Sequence, residues 1–122
     1  MEYERQVFVM CTKSELGKIL ELFAVKAREV FGEKLNDVIL FGSYARGDYH
    51  EDSDIDIMLI ADIAEEQVMH YVYMLSDFLS DLSLEYNVVV SPVIEPLAKY
   101  KAYKDVIPFL QKVQKEGVRI AA

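Results

Sequence analysis

Cysteine is almost absent from this chain of 122 residues, in which Cys11 is the only one. A single cysteine cannot form an internal disulfide, so the sequence is typical of a protein of the reducing cytoplasm. No apolar run approaches the roughly 20 residues of a membrane helix, and the N-terminus lacks a secretory signal pattern. We therefore expect a cytoplasmic protein that has no membrane partner.

Basic residues are also scarce, with 13 Lys and Arg against 21 Asp and Glu and a net charge of −8. Binding to a nucleic-acid backbone relies on Lys and Arg side chains that neutralise phosphates. The sequence contains no arginine-rich patch with interleaved aromatic residues. Its charge therefore disfavours direct contact with nucleic acid.

The length and the hydrophobic content of 52% predict one domain over residues 1–122, because no repeat or linker divides the chain. Apolar spacing, the Thr12 to Glu15 capping pattern and the Gly and Pro positions predict the elements. These are a possible strand at 7–10, a helix from 12 to Gly32, strands at 38–41, 54–60 and 86–94, a helix at 64–82, and a last helix from Pro108 to Gly117. This order indicates an α+β fold, a small mixed β-sheet flanked by helices.

The most informative stretch, residues 42–60, begins where the apolar run 38–41 ends at Gly42. Glycine permits a positive φ or a close approach of the backbone to a ligand. Ser43 adds a hydroxyl, and the amides of residues 43–45 can point at an anion if a helical turn starts there. The turn is thus predicted to bind phosphate.

Ten residues separate Ser43 from Asp54, which together with Asp56 opens the next strand. Residues two apart share a strand face, so the two carboxylates project together while Ile55 and Ile57 pack inward. Adjacent carboxylates repel each other and favour a shared divalent cation. Mg²⁺ is usually completed by water and substrate phosphates. Together with the turn, the pair predicts a site for a metal-bound nucleoside triphosphate.

The pattern Gly42-Ser43, ten residues, Asp54-x-Asp56 resembles the signature of the DNA polymerase β-type nucleotidyltransferase superfamily. The short length makes the chain similar to the minimal nucleotidyltransferases (MNT), many of which are encoded beside HEPN-domain partners as antitoxins. The resemblance implies a nucleotidyltransferase-like fold, triphosphate binding by Gly42 and Ser43, and two catalytic Mg²⁺ ions held by Asp54 and Asp56. The motif covers residues 42–60, and the predicted element order fits most of the chain.

Members of this superfamily usually carry a third carboxylate on a later strand, and no Asp lies in the middle of residues 86–94. Ser91 is polar there but is a poor metal ligand. We expect Glu85, just before the run, to be the third catalytic acid, with Asp81 as the other candidate. Arg46 is expected either to bind a nucleotide phosphate or to form a salt bridge with an acid of the motif loop. The planar guanidinium group, with its several N–H donors, suits a phosphate.

The resemblance implies transfer of AMP from Mg-ATP to a hydroxyl, with a tyrosine of a HEPN-type toxin as the expected acceptor. Two alternatives remain open at this point. One is a small-molecule nucleotidyltransferase that modifies, for instance, an aminoglycoside, a cation that the acidic composition suits. The other is a non-catalytic antitoxin that only binds nucleotide, which the missing third acid favours.

Overall fold

The computed structural model describes residues 13–121, so Cys11, Thr12 and the possible strand at 7–10 lie outside the described residues. The long elements are joined by short 3₁₀ turns at Gly32–Lys34 and Glu65–Gln67. In chain order, the helices and strands are α1 (Lys13–Phe31), β1 (Leu35–Phe41), α2 (Ser43–Arg46), β2 (Ile55–Ala61), α3 (Val68–Tyr86), β3 (Val90–Pro96), α4 (Leu97–Tyr103), α5 (Pro108–Glu116) and β4 (Val118–Ala121).

The strands form one mixed sheet in the order β3-β2-β1-β4. β1 pairs antiparallel with both β2 and β4, whereas β2 and β3 are parallel. The parallel pair is connected by α3, as a parallel pair requires a crossover. β3 is an edge strand, which explains why it accommodates Pro92 and Pro96. The predicted α+β fold with a small mixed sheet is confirmed.

Both faces of the sheet are covered, and β2 shows how the layers are divided. Ile55, Ile57 and Leu59 belong to the larger core, which includes the buried stripe of α1 and the inner residues of α3. Met58 and Ile60 belong to a second core that includes α5 residues. A strand buried on both sides reads as a continuous apolar run, which is why the sequence becomes wholly apolar after Asp56.

Three features of the fold differ from the sequence-based expectation. The second long helix continues to Tyr86 and ends at Asn87, whose φ of 53° is the left-handed conformation of many helix ends. β3 consequently begins at Val90 rather than at residue 86. The short elements α4 and β4 were not predicted, because four to seven residues carry little periodicity and β4 depends on pairing with the distant β1.

The last predicted helix is confirmed as α5, with Pro108 in its first turn and Gly117 at its end. None of the helices between residues 13 and 121 combines the length and the apolar character that a membrane span needs.

Glu95, on β3, is a nearly buried carboxyl group away from the motif. Its side chain is 12% exposed, and its closest ion partner is Lys99 at 3.9 Å. Its Oε1 accepts no hydrogen bond within the described part of the chain. Burial raises the pKa of Glu95, with Lys99 lowering it and Glu65 raising it further.

We expect Glu95→Gln to stabilise the fold at neutral pH by about 0.5–1 kcal/mol, because the amide removes a poorly solvated charge. A raised carboxyl pKa means that the folded state binds the proton more tightly, so wild-type stability falls as pH rises through the folded-state pKa. The gain should vanish well below the ordinary glutamate range, where both side chains are neutral. Urea unfolding at neutral pH and at a pH well below the ordinary glutamate range measures the difference in stability between the two proteins. Glu65→Gln, which neutralises the exposed partner of the same lysine, is the control. An equal gain in stability of Glu95→Gln at neutral and at low pH would refute this account.

Candidate active site

The turn at Gly42 joins β1 to the one-turn helix α2. Gly42 has φ 75° and ψ −157°, a conformation that is essentially limited to glycine. A Cβ atom at this position would lie 3.2 Å from Cγ of Asp56 and still closer to one of its carboxylate oxygens. Glycine therefore allows the backbone of the turn to lie against the Asp56 carboxylate.

Part of the backbone that was expected to face an anion instead forms hydrogen bonds within the turn of α2. The Gly42 carbonyl accepts hydrogen bonds from the amides of Ala45 (3.1 Å) and Arg46 (3.0 Å). The amide of Ala45 is thus committed within the turn, which corrects the expectation for this residue. Ser43 begins the turn and lines the adjacent cleft.

The loop after α2 is held to the larger core by two stacked aromatic rings. Tyr44 and Tyr49 are both buried, with ring centroids 4.3 Å apart and planes inclined by 7°. Farther along, the amide of His50 donates to Oγ of Ser53 at 2.8 Å, and the Ser53 amide donates back to the His50 carbonyl at 2.9 Å. These contacts fix the path of the chain from the glycine turn to the first aspartate.

Asp56 lies on β2 between Phe41 of β1 and Ser91 of β3. Burial raises the pKa of Asp56, the charge of Asp54 raises it further, and Arg46 lowers it. The charge of Asp54 therefore destabilises the ionised form of Asp56, as expected for neighbouring carboxylates. A bound divalent cation would relieve this repulsion.

The neighbour of the aspartate pair on β3 is a serine. Ser91 pairs with Asp56 across the strands, and its hydroxyl donates to Oδ2 of Asp54 at 2.9 Å. Glu85 and Asp81 are exposed on α3, and no contact brings either to the pair. The expectation for Glu85 placed it at the start of a strand, whereas the helix continues past it.

Within residues 13–121, no group of three acidic, His or Cys side chains could hold a metal ion. Two carboxylates still fit Mg²⁺, which commonly takes one or two protein carboxylates and completes its shell with water and substrate phosphates. Asp54 and Asp56 can therefore hold Mg²⁺ that arrives with a nucleotide.

A cleft of about 290 Å³ opens beside Asp56. Its walls come from the glycine turn, from β1 and β2, and from α5. The lining residues are Phe41, Gly42, Ser43, Arg46, Asp56, Phe109, Lys112, Val113 and Glu116. No α5 residue was expected at the site from the sequence. The signal available was the i, i+3, i+4, i+7 spacing of the four α5 residues, which places them on one helix face.

Arg46 is engaged by two carboxylates. Its Nε donates to Asp48 of the motif loop at 3.1 Å, and its Nη1 donates to Glu116 of α5 at 2.9 Å. The hydrogen bond to Asp48 is the main cause that raises the pKa of Arg46. Desolvation is the next largest effect and lowers it, and the charges of Glu116 and Asp48 raise it further. The salt bridge to a loop acid, one of the two roles considered for Arg46, is present.

The comparison with protein families agrees with this geometry. The family model described as "Nucleotidyltransferase domain" matches residues 24–117, from α1 to the end of α5. The chain belongs to the nucleotidyltransferase domain family. The expectation of a nucleotidyltransferase enzyme is thereby confirmed.

Two relatives illustrate the range of similarity within the family. A Methanocaldococcus jannaschii protein named "Putative protein adenylyltransferase MJ0141" is 33% identical over 108 residues, which are 87% of this chain and 99% of the relative. "Protein adenylyltransferase MntA" of Thermococcus cleftensis is 42% identical over 50 residues, 41% of this chain and 48% of the relative.

Solved structures share the nucleotidyltransferase fold. A crystal structure from Sulfolobus solfataricus, described as "a putative nucleotidyltransferase", aligns with a TM-score of 0.54 and 27% identity. The alignment covers 87% of this chain and 82% of that one. A toxin–antitoxin MntA-HpeT crystal structure aligns with a TM-score of 0.50 and 24% identity over 81% of this chain and 69% of that one, which shows the fold alone.

The conformation of Gly42 makes Gly42→Ala a direct probe of the turn. We expect a loss of about 1–3 kcal/mol of unfolding free energy, because alanine is strained at this φ and its Cβ meets the Asp56 carboxylate. Urea unfolding measures the loss of unfolding free energy, and titration with a nucleotide analogue measures nucleotide binding by the variant. Gly17→Ala, inside α1 with no atom near its Cβ, should instead stabilise by about 0.5–1 kcal/mol. Unchanged stability of the Gly42 variant would contradict this interpretation of the turn.

Ser91→Asp tests whether the β3 neighbour of the aspartate pair faces the metal site. A third carboxylate should lower stability by about 1 kcal/mol in a chelator, because like charges on adjacent strands repel. Millimolar Mg²⁺ should restore more stability to this variant than to the wild type. Thermal unfolding with and without Mg²⁺ measures the difference. Ser91→Asn has the same shape without the charge, and an equal Mg²⁺ response of the two variants would count against the assignment.

Proposed function

We propose that this nucleotidyltransferase transfers AMP from Mg-ATP to a protein hydroxyl, and that the acceptor is a tyrosine of a HEPN-type toxin which it neutralises. One observation carries the proposal. Asp56 lines the same cleft as Gly42 and Ser43, and its carboxylate interacts with the charge of Asp54. A pair of metal-binding carboxylates next to a phosphate-binding turn is the arrangement that nucleotidyl transfer requires.

In the proposed reaction, the acceptor oxygen attacks the α-phosphorus of ATP and a new O–P bond forms. The bond from the α-phosphorus to the bridging oxygen breaks, and pyrophosphate leaves with that electron pair. The hydroxyl proton passes to water, which reaches the exposed Asp54 side of the site. The products are an AMP-modified side chain and pyrophosphate.

The roles of the residues follow from their positions. Gly42 and Ser43 hold the phosphates at the turn, and Asp54 and Asp56 hold Mg²⁺, with Ser91 fixing the Asp54 carboxylate through its hydrogen bond. When bound, the metal would neutralise phosphate charge and lower the pKa of the attacking hydroxyl. Glu85 is given no role in this scheme, because within the described residues it does not join the two aspartates in a group that could hold a metal ion.

A protein acceptor is supported by two considerations. The curated relatives carry the name protein adenylyltransferase, and one of them is aligned over 99% of its own length. The cleft is also small, so little space remains for an acceptor once a nucleotide is bound. An acceptor that brings its own folded surface, such as a toxin, suits this geometry better than a small molecule.

The non-catalytic alternative keeps one specific observation in its favour. Within the described residues, no third carboxylate joins Asp54 and Asp56 in a group that could hold a metal ion, and the neighbour on β3 is Ser91. Under this alternative the chain binds nucleotide and its toxin but transfers nothing. The two proposals therefore differ in whether the partner gains a covalent AMP.

The test is transfer of label to the co-encoded HEPN-type protein, with ATP labelled at the α-phosphate in one reaction and at the γ-phosphate in another. We expect label only from the α position, a mass increase of one AMP on the partner, and at least a hundredfold loss in Asp54→Asn, Asp56→Asn. Asp62→Asn, which neutralises an exposed acid just past the opposite end of β2, is the matched control and should keep full transfer.

Label from the γ position would indicate phosphoryl transfer and would overturn the proposal. Neutralisation of the toxin in cells by the doubly substituted chain, with no AMP on the toxin, would establish the non-catalytic alternative. Replacement of the modified tyrosine by phenylalanine should abolish labelling if the acceptor assignment is correct.

A further inference from the structure

We propose that Lys112 of α5 binds the phosphates of the nucleotide, and that Arg46 instead links α5 to the motif loop. The inference rests on the nucleotide site of the proposed function and extends it to a helix outside the motif. It concerns the binding of the triphosphate, which can be measured separately from any transfer of AMP.

The position of Lys112 is set by the burial of its neighbours on α5. Leu110 and Val113 are almost completely buried in the second core, against Phe41 and Met58 of the sheet. The helix backbone is therefore anchored at the wall of the cleft. Lys112 lies on a different, exposed side of α5 and lines the cleft together with Ser43.

The charges that line the cleft are not equally available. Arg46 contacts two carboxylates, those of Asp48 and Glu116. Lys112, by contrast, forms no ion pair with any residue in the described part of the chain, and its side chain is exposed. Lys112 is thus the cation at this cleft whose charge is free to meet an anion.

Moving Arg46 to a phosphate would be costly because of Glu116. The Glu116 side chain is only 16% exposed, and Arg46 is its ion partner at 2.9 Å. A poorly solvated carboxylate left without its partner destabilises the fold. It would also lie in the cleft as a negative charge facing the triphosphate.

The negative charge of the triphosphate favours a free cation at the cleft. The chain has a net charge of −8, and the cleft already contains Asp56 and Glu116. Mg²⁺ on the aspartates offsets part of the triphosphate charge, and an ammonium group on a flexible stem can reach the remaining phosphate oxygens. Lys112 can supply that ammonium group from across the cleft.

The test compares Lys112→Gln with Lys115→Gln, which removes the same charge from the same helix at an exposed position that does not line the cleft. The probes are Mg²⁺ with α,β-methylene-ATP, which cannot release pyrophosphate, inorganic tripolyphosphate, and AMP. Calorimetric titration should show about a tenfold weaker affinity of Lys112→Gln for the first two probes, the loss expected for one charge-assisted hydrogen bond. AMP affinity and the Lys115→Gln variant should change less than about twofold.

The double variant Arg46→Gln, Glu116→Gln distinguishes Arg46 from Lys112, because it removes the ion pair between the motif turn and α5 without leaving Glu116 as a poorly solvated, unpaired charge. The Asp48 carboxylate, which also loses its partner, is exposed to solvent. We expect the double variant to lower the unfolding temperature and to keep the triphosphate affinity within about threefold of the wild type. Thermal unfolding of Lys112→Gln should match the wild type, which shows that its binding loss is not a folding defect.

Wild-type affinity in Lys112→Gln, an equal loss in Lys115→Gln, or no binding of tripolyphosphate by the wild type would each overturn the inference. The proposed function can be refuted independently of this inference. Lys112-dependent binding without AMP transfer would refute transfer alone, whereas AMP transfer with unchanged affinity in Lys112→Gln would refute the role of Lys112 alone.

Discussion

The burial of β2 on both faces is the constraint on which the rest of the structure depends. Its apolar side chains alternate between the core under α1 and α3 and the core under α5, so neither the register nor the direction of the strand can change. The strand leaves the core at its N-terminal end, and there the alternation places Asp56 on the α5 side. The same packing that stabilises the sheet therefore orients the carboxylate that the proposed reaction uses.

The site concentrates features that are unfavourable for folding alone. Asp56 is partly buried beside a second carboxylate, which raises its pKa, and Gly42 adopts a conformation that other residues avoid. Local costs of this kind persist only where the surrounding structure holds them in place. Here the surroundings are the buried strand and the stacked pair Tyr44 and Tyr49, which hold the turn and the loop to one core.

The C-terminal helix joins this motif through contacts that are remote in sequence. Arg46 and Glu116 are separated by 70 positions, and their ion pair connects the motif turn to α5. The wall opposite the glycine turn is consequently built by a segment that carries no recognisable signature. The proposed triphosphate site thus combines one short motif with one amphipathic helix.

The sequence by itself determined the α+β class, the helices α1 and α5, and the adjacency of the glycine turn with the aspartate pair. These follow from local rules, since apolar spacing defines helix faces and residues two apart share a strand face. Only the tertiary structure decided where α3 ends, that Ser91 and not Glu85 lies beside the aspartates, and that Lys112 and Glu116 line the cleft. Each of these depends on strand register or on the docking of one element against another. The spacing of the α5 residues places them on one helix face, but it does not show which part of the fold that face meets.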